Sequence, residues 1–287
     1  MSTFTEQLDS AIKQHDSLVC VGLDPVPERL PQGISRDAAG IAEFNCRLIE
    51  ATADLACCYK PNFPFYGALG ARGVDALQQT IAAVPDDIPV LLDCKVGDIG
   101  STAERWAHMA FNELGADAIV VNPYMGSDAL APFLDYGERG IFVLCHTSNP
   151  SAADFQSLPV AQSLPVAQAL PVDLAPLYEH VARRALEWNE KHNNCGLVVG
   201  ATQAGALTHL RQLAPTLPFL VPGVGSQGGD LAGAVTDGLR KDGAGLLINA
   251  SRSIIFASGG SDFAEAARSA TDELRCQINA VRSAVQK

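Results

Sequence analysis

Between residues 91 and 102 the chain reads LLDCKVGDIGST. Leu91 and Leu92 belong to an apolar run, yet Asp93, Lys95 and Asp98 follow at once. A lysine set between two carboxylates stays protonated, because opposite charges favour its ionised form. It is suited to donating a proton rather than to forming a Schiff base, which needs an amine with a depressed pKa. Strand alternation predicts Asp93 and Lys95 on one face, with Cys94 on the other. Lys60, in CCYKPN (57–62), could reach the same pocket. Four charged groups of alternating sign would then share one low-dielectric funnel. The bland alternative is an ion-pair network that only holds the fold together. Buried charge networks are a poor route to stability, so the chemical reading is preferred.

A second group lies late in the chain, in PGVGSQGGD (222–230) and NASR (249–252). Gly223, Gly225, Gly228 and Gly229 allow backbone N–H groups to approach an anion closely. Arg252 adds a planar donor fork suited to phosphate. A glycine-rich loop alone would be no more than a turn; the arginine at the next strand end makes it informative. The residues by themselves therefore predict a phosphate-bearing small molecule, with acid–base or decarboxylation chemistry at its far end.

These residues need a scaffold that gathers strand ends. Short apolar runs closed by Gly, Pro, Asn or a charge occur at 18–24, 57–62, 89–95, 118–124, 141–148, 196–202, 219–225 and 246–252. Between them lie helical patterns, among them 38–53, 74–84, 101–114, 177–191 and 231–240. Alternating strand and helix implies right-handed crossovers and a parallel sheet. Eight such units predict an α/β (β/α)₈ TIM barrel, and a doubly wound open sheet is the runner-up. In a barrel, chemistry sits at the C-terminal strand ends, where Asp24, Lys60, Asp93, Lys95, Thr147, Ser148, Asn149, Ser251 and Arg252 all fall. The whole chain, 1–287, is expected to be one barrel domain, with extra helices outside the barrel before His15 and after Asp262. Residues 157–170, SLPVAQSLPVAQAL, break the rhythm. Proline every sixth residue excludes a regular helix or a central strand. The stretch is expected to be part of a surface insertion spanning 151–176.

Composition narrows the partners. Asp and Glu number 32 against 20 Lys and Arg, a net charge of −12 that argues against nucleic acid. It also means that an anionic substrate needs a local concentration of positive charge. No apolar run approaches the ~18 residues of a membrane span. The N-terminus lacks a basic stretch followed by an apolar one, so no secretory leader is expected. Eight cysteines without a C-x-x-C pair are expected to be reduced thiols in a cytoplasmic protein rather than a metal site.

DCKVGDIGSTA resembles the D-x-K-x-x-D-I-G-x-T motif of the orotidine 5′-monophosphate decarboxylase family, in its longer bacterial form. The resemblance extends through GLDP (22–25), YKPN (59–62), NPYMG (122–126), TSNP (147–150), GAT (200–202), PGVGSQGGD and NASR, in order along nearly the whole chain. It implies that Asp24 and Lys60 contact ribose, with Lys60 also holding the charged network together. Asp93 would face the substrate carboxylate, and Lys95 would be the proton donor. Asp98 and Thr102 would project into the site of the partner subunit of a homodimer. Ser148 would meet the pyrimidine edge, and Gln227 and Arg252 the phosphate. Neither a metal nor an organic cofactor is implied. Val96 stands where arginine is frequent in the longer form, Ser226 where alanine is usual, and GATQAGAL replaces the commoner GATYPEEL.

The resemblance also implies a chemistry for the lysine. Loss of CO₂ from C6 of the pyrimidine leaves a carbanion without a conjugated sink, which a fixed ammonium offsets and then protonates. A related sugar-phosphate decarboxylase would share D-x-K but needs metal-binding carboxylates after strand two, where this chain has Pro61, Asn62 and Phe63. A catalytically silent phosphate-binding barrel would not need the buried charges.

Overall fold

The computed structural model describes residues 3–161, 174–202, 204–224 and 230–286. The barrel strands are β1 (Val19–Leu23), β2 (Cys58–Pro61), β3 (Leu91–Val96), β4 (Ala118–Val121) and β5 (Gly140–His146). A small ladder, β6 (Pro159–Ala161) with β7 (Leu174–Pro176), interrupts them before β8 (Cys195–Val199), β9 (Phe219–Pro222) and β10 (Leu246–Ala250) complete the set. The eight are hydrogen-bonded in the order β2-β1-β10-β9-β8-β5-β4-β3, and each ladder between them is parallel. Two bridges, Tyr59 to Val90 and Asn62 to Asp93, join β2 to β3 and close the barrel. Strands β1, β2, β4, β8 and β10 are buried at every position. That is why they read as continuous apolar runs rather than as alternation.

The expected strands are all present but most stop short at their C-terminal ends. The fourth ends at Val121 because Asn122 turns the chain, its Oδ1 accepting the Tyr124 N–H at 3.1 Å ahead of a tight turn at Pro123–Met125. The last ends at Ala250, since Arg252 already opens a helix. Asp24, Thr147, Ser148, Asn149 and Ser251 thus lie just past their strands, whereas Lys60, Asp93 and Lys95 remain within theirs.

The helices are α1 (Phe4–His15), α2 (Ala38–Thr52), α3 (Phe63–Gly67), α4 (Ala71–Ala82), α5 (Gly100–His108) and α6 (Ser127–Leu134). After them come α7 (Leu177–His192), α8 (Ala204–Leu213), α9 (Leu231–Gly238), α10 (Arg252–Ile255) and α11 (Phe263–Val285). Helix α1 is capped by Thr3 and Glu6, which bond to each other's backbone N–H groups. It lies across the barrel's N-terminal end, rather than beside the outer helices. Its Phe4 ring meets Phe142 edge-on at 5.6 Å and abuts Gly140, the first residue of β5, where a β-carbon would lie 2.5 Å from the ring. The C-terminal α11 packs on α2, with Phe263 and Phe44 ring centroids 5.2 Å apart. The ladder β6/β7 is antiparallel and solitary, so Pro159 removes no barrel hydrogen bond. The remainder of the repeat, from Gln162, lies outside the described residues.

Candidate active site

The site begins with an irregularity in β3. Its register against β4 runs Asp93 to Val120 and then Val96 to Val121, leaving Cys94 and Lys95 as an inserted bulge. Lys95 takes a left-handed φ of 48°, which costs a non-glycine residue about 1–2 kcal/mol. Simple alternation therefore does not bring Asp93 and Lys95 together; the bulge does. Lys95 Nζ donates to Asp93 Oδ1 at 2.6 Å, and Lys60 Nζ donates to Oδ2 at 3.2 Å. One carboxylate holds two ammonium groups, one on each oxygen.

The two lysines differ in setting. The Lys60 side chain is 3% exposed, whereas that of Lys95 is 47% exposed. Burial alone would neutralise Lys60, but the charges of Asp93 and Asp24 outweigh it and raise its pKa above the ordinary lysine value. Burial likewise works to raise the Asp93 carboxyl, and the two lysines overcome it and hold it below its usual range. Asp24 Oδ1 lies 3.9 Å from Lys60 Nζ, and its Oδ2 accepts from the Ser251 hydroxyl at 2.8 Å. Tyr66, buried under the site, donates its hydroxyl to the Leu23 carbonyl at 3.0 Å and fixes the chain entering Asp24. Gly22 permits this approach of β1 to β10, since a β-carbon there would lie 2.8 Å from Ser251 Cβ.

Lys60, Asp93 and Lys95 line a cavity of about 370 Å³ with Thr147, Ser148, Asn149 and Gln156. Its apolar wall is Val120, Leu144, Val198, Leu220 and Pro222. An apolar wall together with two lysines suits a planar ring that carries or develops negative charge.

The expected residues separate into groups. Lys60, Asp93, Lys95 and Ser148 share the cavity, and Asp24 joins them through Lys60. Arg252 stands exposed at the first turn of α10, next to the Ser251 that holds Asp24. Asp98 does not complete the expected tetrad within this chain. Its Oδ1 accepts the N–H of Ile99 at 2.8 Å, and Thr102 is exposed on α5. Among the described residues, neither lines the cavity. The place of Asp98 among the four charges is taken by Asp24. Gln227 and Ser226 lie outside the described residues, as do Gly225, Gly228 and Gly229. Gly223 has φ +95°, a conformation that favours glycine. Val96 packs as a half-buried apolar residue on β4, its carbonyl accepting the Asn122 N–H at 2.8 Å. Gln156 was not anticipated: it sits nine residues past Thr147, and no spacing signal marks it. No group of three or more His, Cys, Asp or Glu placed to hold a metal ion occurs among the described residues.

Residues 17–269 match the model of the "Orotidine 5'-phosphate decarboxylase / HUMPS family". The chain belongs to that family. Within it, the chain is 49% identical to the orotidine 5′-phosphate decarboxylase of Thermomicrobium roseum, over 99% of this chain and 97% of the relative. Among solved structures, Leishmania donovani OMP decarboxylase superposes with a TM-score of 0.82 at 43% identity, covering 98% of this chain and 99% of that one. Leishmania donovani UMP synthase superposes with a TM-score of 0.84 at 44% identity. This chain spans 57% of that longer protein. These family members share the TIM barrel. No helix among the described residues is long and apolar enough to cross a membrane.

Proposed function

We propose that the chain decarboxylates orotidine 5′-phosphate to uridine 5′-monophosphate, with Lys95 protonating C6. The observation that carries this reading is the Asp93 carboxylate gripped by Lys60 and Lys95 beneath an apolar-walled cavity. The bond from C6 to the carboxylate carbon breaks, CO₂ leaves, and the electron pair stays on C6. The Lys95 ammonium offsets that charge and then transfers its proton to C6, so one solvent proton is consumed per turnover. Partial exposure of Lys95 lets it be reprotonated, while buried Lys60 keeps Asp93 ionised and in place. Asp93 faces the leaving carboxylate, Asp24 and Lys60 the ribose, and Ser148 the pyrimidine. Arg252 and Gln227 take the phosphate, whose binding energy helps to close the loops. Asp98 and Thr102 serve the site of a second subunit in a cytoplasmic homodimer, a role consistent with their absence from this chain's own cavity walls.

The test is loss of ultraviolet absorbance on adding orotidine 5′-phosphate, with and without a chelator. Turnover unaffected by chelator is expected, and Lys95→Ala should lower it by about 10⁴-fold or more while still binding the product. An inactive parent protein would overturn the substrate assignment. Near-normal turnover in Lys95→Ala would overturn the role of that lysine.

A further inference from the structure

Gln156 makes contacts that none of the site assignments uses. It follows the tight turn at Pro150–Asp154, and its amide group reaches back to Thr147 at the end of β5. The Thr147 backbone N–H lies 2.7 Å from one terminal atom of that amide. A backbone N–H can only donate, so this atom is the oxygen Oε1 and its neighbour is the nitrogen. Nε2 then donates to Thr147 Oγ1 at 2.8 Å. With its lone pair so engaged, the Thr147 hydroxyl turns its own proton to Asn149 Oδ1 at 2.5 Å. The chain of donors runs from Gln156 through Thr147 to Asn149, and Ser148 stands at the centre of this arch. All four residues line the cavity.

Only an amide can donate and accept at these two points together; a carboxylate lacks the donor and a shorter amide lacks the reach. The backbone of Gln156 is anchored independently. Its N–H donates to the Ala152 carbonyl at 2.8 Å, and its carbonyl accepts the Tyr178 N–H at 2.9 Å. The side chain therefore is not needed to hold this segment in place, and its two bonds act on the arch.

We infer that Gln156 is a positioning residue for base recognition: its amide clamps Thr147 and thereby sets Ser148 against the pyrimidine edge. This rests on the proposed substrate, and in particular on Ser148 as its base contact. A residue acting this way affects ligands that carry the base and leaves those that carry only sugar and phosphate.

The experiment compares binding of uridine 5′-monophosphate and of ribose 5-phosphate by calorimetry to the parent and Gln156→Ala proteins, beside turnover of orotidine 5′-phosphate. Losing the clamp should weaken the nucleotide about ten-fold and ribose 5-phosphate less than about two-fold. Gln156→Glu keeps an acceptor for the Thr147 N–H and loses the donor, so its nucleotide affinity should fall between the two. Should Gln156→Ala fail to fold, the near-isosteric Gln156→Glu carries the comparison. Equal loss for both ligands, or loss for neither, overturns the clamp while an active parent leaves the substrate assignment standing. An inactive parent overturns the substrate assignment, and the clamp with it.

Discussion

Gly200 backs Ser148 so closely that a β-carbon on it would lie 2.6 Å from Ser148 N and 2.8 Å from Ser148 Cβ. Its own N–H donates to the His146 carbonyl at 2.7 Å, tying the loop after β8 to the end of β5. Ser148 N and Cα are backbone and Cβ is fixed to them, so no rotamer change can relieve the clash. Gly200→Ala should displace the arch, costing about 1–3 kcal/mol of stability and raising KM for orotidine 5′-phosphate. Thermal melts with steady-state kinetics check this; a variant matching the parent in both would show that the loop yields freely.

The lysines around Asp93 predict an acid limb of stability. Its folded-state pKa lies below the ordinary carboxylate value of 3.8. The stabilisation is therefore complete above 3.8 and fades as pH falls through the depressed folded value. Asp93→Asn leaves Lys60 buried, with Asp24 its remaining carboxylate at 3.9 Å. Breaking a buried pair in this way costs about 3–5 kcal/mol. Urea unfolding from pH 6 downward should show a wide gap between parent and variant that narrows below the ordinary value. A gap constant with pH would mean that the charge of Asp93 is not what stabilises.

The proposed sharing of sites between subunits predicts complementation. Lys95 sits on a strand and Asp98 on the loop beyond it, turned to its own backbone. Inactive Lys95→Ala and Asp98→Ala proteins are mixed under conditions that exchange subunits. In a two-fold dimer, random exchange gives half mixed dimers, each with one intact site, so about a quarter of parent activity should return. Exchange confirmed by mass, with no recovered activity, would place every site within one chain.

The ladder beside the site predicts tolerance to shortening. Ala161 and Leu174 are direct partners in β6 and β7, and Leu177 N–H donates to the Leu158 carbonyl at the ladder's base, 2.9 Å away. Replacing residues 162–173 by Asn-Gly, which suits a two-residue hairpin, should leave turnover within a few-fold of the parent. Shorter loop closure should hold stability level or raise it by about 1 kcal/mol. A large fall in turnover would show that these residues act on the chemistry.

The barrel was legible because each buried parallel strand announces itself as an apolar run with a polar terminus; VCVGL and LLINA are of this kind. Lys60, Asp93 and Lys95 were legible because charge at such a terminus has few structural reasons to be there. The bulge was not, since Cys94 and Lys95 carry no turn signal; a lysine in left-handed backbone is imposed by its surroundings. Gln156 was hidden because its partner, the Thr147 N–H, is a group every residue has. Glycine 200 read only as part of a motif, for a glycine's reason lies in what touches it. The placement of α1 across the barrel floor was equally illegible, as an amphipathic helix does not name the surface that it covers.

The two bridges that close the barrel set a limit on what can change in this pocket. Other neighbouring strands are laced together by consecutive residue pairs, whereas among the described residues β2 and β3 are bridged at the separated pairs Tyr59–Val90 and Asn62–Asp93. Lys60 and Asp93 straddle that seam, and their ion pair is a clasp across it as well as part of the proposed chemistry. Mutational drift at either residue would loosen the cylinder where isolated bridges stand in place of a continuous ladder. Amide exchange at Tyr59, whose N–H reaches the Pro89 carbonyl across the seam at 3.1 Å, would report the slackening. On the proposed mechanism, selection for turnover and selection for a closed barrel thus bear on the same two side chains.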